Sequence, residues 1–133
     1  MDNYCTDLSM SKKLQRIDFD ADTPFGWYRL YETDKIWSLM THNEARLYEQ
    51  SRVYLMRMTI EKITNAYTAD HLCWYITQNG GSVDLLYKQG DLNLKVILYV
   101  DGQKFIKLFK GDHAANLIAR AIIWAHRNKY LAF

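Results

Sequence analysis

Alternation of hydrophobic and polar residues is clearest in the C-terminal half of the chain. Residues 83–88 and 92–100 alternate with a period of two, and residues 105–109 form a third apolar run. Because successive side chains of a strand point to opposite faces, this pattern predicts three strands. Asp101-Gly102, between the second and third runs, is a strong hairpin signal. The sequence therefore predicts an antiparallel three-stranded meander.

Helical periodicity occurs on both sides of this meander. Thr68 is a favourable N-cap residue for a helix to about Asn79, and Gly80-Gly81 supply a C-cap signal. Asp112 is the predicted cap of a last helix that ends near Asn128. The apolar stripe of that helix consists of Leu117, Ile118, Ala121, Ile122 and Ala125. Residues 67–133 thus predict an α-β-β-β-α unit with both helices on one face of the sheet.

The N-terminal half has weaker signals. Residues 11–17 predict a short helix capped by Ser9 or Ser11, and aromatic-rich runs at 25–31 and 35–40 predict a β-hairpin. Thr41 followed by Glu44 is a capping-box pattern, which predicts a helix from about His42. The end of this helix is open, because residues 53–60 fit a helix, which we favour, and also alternate like a strand.

Length and composition fit one α+β domain over residues 1–133, divided into a helix/hairpin/helix segment (8–66) and the α-β-β-β-α unit (67–133). The chain is 49% hydrophobic and 14% aromatic, which is enough to bury a core and excludes a disordered class. No apolar run has membrane-spanning length, and residues 1–7 lack the pattern of a secretion signal. We therefore expect a cytoplasmic protein with no membrane partner.

The two cysteines do not make a disulfide framework. Cys5 lies near an N-terminus that we expect to be loose, and Cys73 lies in an apolar run where an inert buried thiol is the usual outcome. A reducing compartment is the simpler interpretation.

Catalytic and ligand motifs are not evident in the sequence. The four histidines lack metal-ligand spacing, and neither G-x-S-x-G nor a phosphate-binding loop occurs. Asp18, Asp20 and Asp22 alternate as in a calcium loop, but the glycine and glutamate of such a loop are missing. We therefore predict no catalytic, cofactor or metal site. An enzyme would remain an alternative, and Tyr67, Asp70 and His71, near one helix start, would be the first place to look.

The charge distribution allows a nucleic-acid-binding alternative. The element order of residues 68–128 is that of a double-stranded-RNA-binding domain. Its candidate phosphate contacts would be Lys95, Lys104, Lys107 and Arg120. However, the net charge is only +2, and aspartates interleave with the lysines, so a solvated sheet face is the favoured interpretation.

Aromatic residues are the one compositional excess. Trp27, Tyr28, Tyr31 and Trp37 lie in the predicted hairpin, where they either pack into the core or form an exposed surface for a protein partner or a homodimer. With no catalytic motif, the leading hypothesis is a non-enzymatic protein that binds an unknown protein partner through this aromatic surface.

Three segments carry a resemblance to a known group of proteins. They are residues 9–23 (Ser-Met-Ser-Lys-Lys-Leu-Gln-Arg-Ile-Asp-Phe-Asp-Ala-Asp-Thr), residues 65–72 (Asn-Ala-Tyr-Thr-Ala-Asp-His-Leu) and residues 116–130, the last of which contains Ala-Ile-Ile-Trp-Ala. These segments resemble small uncharacterised proteins of phages, prophages and mobile elements of gut Bacteroidetes. They are also similar to the phage ABA sandwich domain. The resemblance brings no activity, cofactor or binding residue with it. It implies an accessory protein that acts inside a bacterial host.

Overall fold

The structure is a computed structural model that describes residues 4–30, 37–52 and 60–131. The described helices are α1 (Leu8–Arg16), α2 (His42–Arg52), α3 (Ala69–Gln78) and α4 (Ala114–Arg127). The described strands are β1 (Phe25–Leu30), β2 (Trp37–Thr41), β3 (Ile60–Ala66), β4 (Ser82–Lys88), β5 (Asp91–Val100) and β6 (Gln103–Gly111). The predicted α+β class is confirmed.

The second sheet has the strand order β4-β5-β6 and is antiparallel throughout, as the alternation predicts. Its two turns, Gln89-Gly90 and Asp101-Gly102, have positive φ at both residues, the conformation that joins twisted strands in two-residue hairpins. The inner face of β5 packs into the core with α3 and α4 through Leu94, Val96 and Leu98. The opposite face of this sheet is its outer face.

The first sheet has the order β2-β1-β3, so the predicted hairpin is confirmed and a third strand joins it. Residues 53–59 lie outside the described residues. Ile60 begins β3, so the helical alternative does not extend to residue 60. The sequence signal of β3 is weak because its two buried positions hold Thr64 and Ala66, a polar residue and a small one.

Helix caps are partly as predicted. Thr68 accepts a hydrogen bond from the His71 amide at 3.1 Å, which confirms that cap. The cap of α1 is Asp7, which accepts from Met10, so the prediction of Ser9 or Ser11 is wrong. The prediction of Asp112 is also wrong. Because β6 continues to Gly111, the extended cap position falls one residue later, on His113, whose Nδ1 accepts from the Asn116 amide.

The N-terminal segment joins the two halves of the chain. Cys5 pairs with Thr68 in an isolated antiparallel bridge, and the Thr6 amide donates to the Tyr67 carbonyl at 2.8 Å. Cys5 is 0% exposed. The expectation of a loose segment around Cys5 is therefore wrong, because its backbone is paired and its side chain is buried.

Candidate functional site

The aromatic side chains of β1 are engaged within the protein. Tyr28 is 7% exposed, and its hydroxyl forms a hydrogen bond with Nδ1 of His42. Trp27 is half-buried and donates from Nε1 to the Thr6 carbonyl at 3.1 Å. Tyr28 consequently has little surface to offer a partner, and Trp27 has only part of its ring.

The remaining candidates of the hairpin are Trp37 and Tyr31. Trp37 is half-buried, with Arg29 at 4.5 Å and Lys12 at 5.2 Å from its ring centroid. These cation–π contacts place charge beside the ring instead of leaving an open apolar patch. Tyr31 lies outside the described residues.

The four candidate nucleic-acid contacts do not share one face. Lys95 and Lys104 lie on the outer face, opposite Leu108 and Tyr99 respectively. Lys107 lies opposite Val96, on the side that the helices cover. Arg120 of α4 is on that side too, with its guanidinium 5.6 Å from the Phe109 ring centroid. The sheet therefore separates these cations into two pairs.

Arg120 instead belongs to a basic groove between α1 and α4. The groove has a volume of about 460 Å³. Four cationic side chains line it, and Trp124, which is half-buried, is one of its apolar residues. The cations are Lys13, Arg16, Arg120 and Arg127. No carboxylate is among the residues that line this groove, so it concentrates positive charge in a chain of net charge +2.

The suggested enzyme residues do not converge on a cleft. Tyr67 is 1% exposed and donates its hydroxyl proton to the Phe19 carbonyl at 3.3 Å. Burial raises the pKa of Tyr67 above its ordinary value of 10, which moves ionisation of this hydroxyl further from neutral pH. His71 packs edge-on against Tyr67, whereas Asp70 is exposed. Tyr67 lines a cleft between α1 and β3, whereas neither His71 nor Asp70 lines that cleft or the basic groove.

The polar cleft lies between α1 and β3 and has a volume of about 530 Å³. Its charged lining residues are Asp18, Asp20 and Lys62, all of which are exposed. Among the described residues, no group of three or more histidine, cysteine or acidic side chains is arranged to hold a metal ion.

Exposed apolar side chains concentrate on the outer face of the second sheet. Ile97 lies directly opposite Ile106, and Leu108 and Tyr99 are the next same-face residues on their strands. Leu108 is 69% exposed, Tyr99 56% and Ile106 48%. Leu86 of β4 adds a further exposed residue on this face, opposite Asn93. Asp84 and Lys95 lie between Leu86 and Ile97, so we define the outer-face patch as Ile97, Tyr99, Ile106 and Leu108.

Charged residues border the outer-face patch. Lys95 lies between Asp84 on β4 and Leu108 on β6, and Lys104 lies opposite Tyr99. Nζ of Lys110 is 3.4 Å from a carboxylate oxygen of Asp91. An apolar centre with a charged border is the usual anatomy of a protein-binding surface.

Sequence reasoning missed the outer-face patch. The alternation of β4 and β5 predicts a polar, solvated outer side, whereas Ile97, Tyr99, Ile106 and Leu108 occupy outward positions. The available signal was the pair of adjacent apolar residues in β6, Phe105-Ile106 and Leu108-Phe109. Both members of such a pair cannot face the same core, because neighbouring side chains of a strand point apart.

No family model matches the chain, and comparisons with curated proteins and with solved structures find none that is similar. Within the described residues, no helix combines the length and the apolar character needed to cross a membrane.

Proposed function

We propose that this chain is a non-enzymatic protein-binding module whose binding surface is the outer-face patch. The observation that carries the proposal is the exposure of Tyr99, Ile106 and Leu108 on one side of the sheet. Monomeric proteins rarely expose contiguous apolar patches beyond a few hundred Å², and larger patches mark interaction sites. The proposal replaces the aromatic hairpin with the second sheet as the partner surface.

Burial of this patch supplies a driving force for association. Removing apolar surface from water contributes roughly 25 cal/mol per Å². The side chains of Ile106 and Leu108 project from a regular strand, so they lose little backbone freedom on binding. The bordering lysines favour a partner that places carboxylates at its rim.

Affinity capture from a lysate of the native host tests this function. The bait is the whole protein, and the variant is Ile106→Lys combined with Leu108→Lys, which charges the patch without touching the core. We expect at least one protein that the unaltered bait retains and the variant loses. Trp74→Lys is the matched control, because Trp74 of α3 is 59% exposed but lies on a helix.

Two results would contradict the proposal. One is a set of captured proteins that is the same for the unaltered bait and the outer-face variant. The other is a partner lost equally with Trp74→Lys, which would indicate a general effect of added charge.

The basic groove favours a second candidate function, the binding of nucleic acid. Lys13, Arg16, Arg120 and Arg127 converge from two helices, and a groove without lining carboxylates attracts phosphates. Fluorescence anisotropy with labelled single- and double-stranded DNA and RNA tests it. We expect binding that weakens steeply with salt and that Arg16→Glu with Arg127→Glu abolishes. Lys95→Glu with Lys104→Glu is the control, and equal loss in both variants, or no binding at low salt, contradicts this function.

The cellular context is also part of the proposal. The three segments that resemble phage and mobile-element proteins support an accessory role inside a bacterial host. Phage or transposition genes on both sides of this gene would support that role. A conserved housekeeping operon around it would contradict it.

A further inference from the structure

The second sheet has two edge strands, β4 and β6, each of which pairs only with β5 among the described residues. An edge strand presents backbone N–H and C=O groups that can pair with another strand. Proteins commonly protect such edges with lysines or proline. The side chains of the two edges therefore indicate which of them is protected.

β6 has the features of a protected edge. It contains Lys104, Lys107 and Lys110 and no acidic residue. A second copy of β6, paired antiparallel about Lys107, would place Lys104 opposite Lys110. Like charges directly opposite each other destabilise a strand pair.

β4 has the features of an open edge. Leu85, Leu86 and Tyr87 are three consecutive apolar residues, exposed by 40%, 61% and 70%. Leu85 and Tyr87 lie on the side of Leu94 and Leu92, whereas Leu86 lies on the outer face. The inner side of this edge is therefore apolar, and its outer side holds Leu86 between Asp84 and Lys88, the last residue of the strand. β4 contains neither proline nor a bulge in its pairing with β5.

We propose that β4 pairs with β4 of a second copy of this chain, antiparallel about a two-fold axis through Leu86. In this register Leu86 lies opposite its own copy, and Leu85 lies opposite Tyr87 of the second copy. Asp84 lies opposite Lys88 of the second copy, and the two-fold axis repeats this pair. Apolar residues thus face apolar residues, and each carboxylate faces an ammonium group.

The sequence of β4 selects this register over its neighbours. A two-fold axis through Leu85 would place the Asp84 carboxylate opposite Leu86. An axis through Tyr87 would place the Lys88 ammonium opposite Leu86. A two-fold axis perpendicular to the sheet pairs outer residues only with outer residues, so the axes through Leu85 and Tyr87 are the nearest alternatives. Each of these two registers places a charged side chain opposite an apolar one.

Pairing at β4 joins the second sheets of the two copies into one sheet of six strands. The two outer-face patches then lie on the same side of the joined sheet, because the axis is perpendicular to it. The dimer does not depend on the proposed function, since it uses the strand edge and leaves Ile106 and Leu108 free.

Charge exchange within β4 tests the dimer and its register. Asp84→Lys makes both charged positions of β4 positive, and Lys88→Asp makes both negative. Each variant alone places two like-charged pairs across the two-fold axis, and we expect its dimer Kd to rise about tenfold or more in sedimentation equilibrium. An equimolar mixture of the two variants makes every cross-axis pair opposite in charge, and we expect the unaltered dimer affinity to return.

Controls separate this effect from changes in net charge and in folding. Asp22→Lys and Lys104→Asp make the same charge changes away from β4 and should leave the dimer Kd within twofold. Circular dichroism and thermal unfolding verify that each variant is folded. The double variant Asp84→Lys with Lys88→Asp restores opposite pairs within one chain and should dimerise like the unaltered protein.

Three outcomes would overturn the inference. The first is an unaltered protein that stays monomeric up to several hundred micromolar. The second is a dimer whose Kd in both single variants is the same as in the unaltered protein, which would place the interface elsewhere. The third is a folded mixture that remains as weak as its components. None of these outcomes bears on host-protein capture, so the proposed function is tested separately.

Discussion

Asp7 and Asn116 are joined by two hydrogen bonds although 109 residues separate them in the chain. The Asp7 amide donates to Asn116 Oδ1 at 3.0 Å, and Asn116 Nδ2 donates to Asp7 Oδ2 at 2.8 Å. The other carboxylate oxygen of Asp7 caps α1 by accepting from Met10. The start of α1 is thus attached directly to the first turn of α4.

Breaking this pair is expected to destabilise the whole protein. Asn116→Ala should lower the free energy of unfolding by about 1–3 kcal/mol, because the bond to the Asp7 carboxylate is charge-assisted. Asp7→Ala should lower the free energy of unfolding by more than Asn116→Ala does, since it also removes the cap of α1. Urea unfolding of both single variants and the double variant gives their coupling energy. Purely additive losses would contradict a direct interaction.

His42, which is hydrogen-bonded to the Tyr28 hydroxyl, should make stability depend on pH. Burial, and secondarily the positive charge of Lys62, lowers the pKa of His42 below its ordinary value of 6.5, whereas a hydrogen bond to the Thr23 backbone opposes this shift. The unfolded chain then binds a proton more readily than the folded one. The stability contributed by neutral His42 is therefore complete above about pH 6.5 and is lost as the pH falls from 6.5 through the lower, folded-state pKa.

Urea midpoints of the unaltered protein and of His42→Gln, measured from pH 7.5 to pH 5, check this prediction. The unaltered protein should lose stability more steeply, and the difference between the two proteins isolates His42 from the other histidines. Tyr28→Phe retains the ring and serves as the control for packing. Parallel pH profiles of the unaltered protein and His42→Gln would contradict the prediction.

Gly81 is required for packing. A Cβ at this position would lie 2.7 Å from both Ile76 Cγ2 and Leu98 Cδ2, which belong to buried core residues. We expect Gly81→Ala to lower the free energy of unfolding by about 1–3 kcal/mol through overpacking. Gly80 is the matched control, because its Cβ would meet open space and only its φ of +83° is unusual.

Gly80→Asn should lower the free energy of unfolding much less than Gly81→Ala does, since asparagine tolerates the left-handed conformation at a helix end. Thermal unfolding compares the two variants directly. Equal losses would indicate that backbone conformation, rather than space, constrains this turn.

Cys5 should be unreactive in the folded protein. Burial raises the pKa of its thiol to about 11, and the side chain is 0% exposed. At pH 8 only about one thiol in a thousand would be ionised, and the thiolate is the reactive form. Mass spectrometry after iodoacetamide treatment should show slow alkylation of Cys5 and faster alkylation of the half-buried Cys73.

Alkylation of Cys5 at the rate of a free peptide would contradict burial of this thiol. Denaturant supplies the positive control, because both cysteines should react fully in the unfolded chain.

The second sheet and its two helices were predictable because their signals are local. Period-two alternation predicts β4 and β5, and Asp101-Gly102 predicts the turn to β6. The predictions failed where distant contacts decide the structure. β3 pairs with β1, which lies about 35 positions earlier in the chain, and the Asp7 carboxylate that caps α1 also accepts a hydrogen bond from Asn116.

The candidate surface was harder to predict than the fold. An exposed isoleucine and a core isoleucine look the same in a sequence, and only the register of Ile97 with Ile106 shows that they share the outward side. The aromatic hairpin is conspicuous in the sequence through its composition alone. Composition does not reveal that Tyr28 is hydrogen-bonded to His42.

The burial of α4 has a consequence for synthesis of the protein on the ribosome. Eight residues of this helix are buried, including Leu117, Ile118 and Ile122. Until residues 114–127 emerge, α3 but not α4 can cover the inward side chains of β5. The nascent chain therefore passes through a stage in which part of the inward face is exposed together with the outer-face patch, and a chaperone that shields these apolar side chains should raise the yield of folded protein.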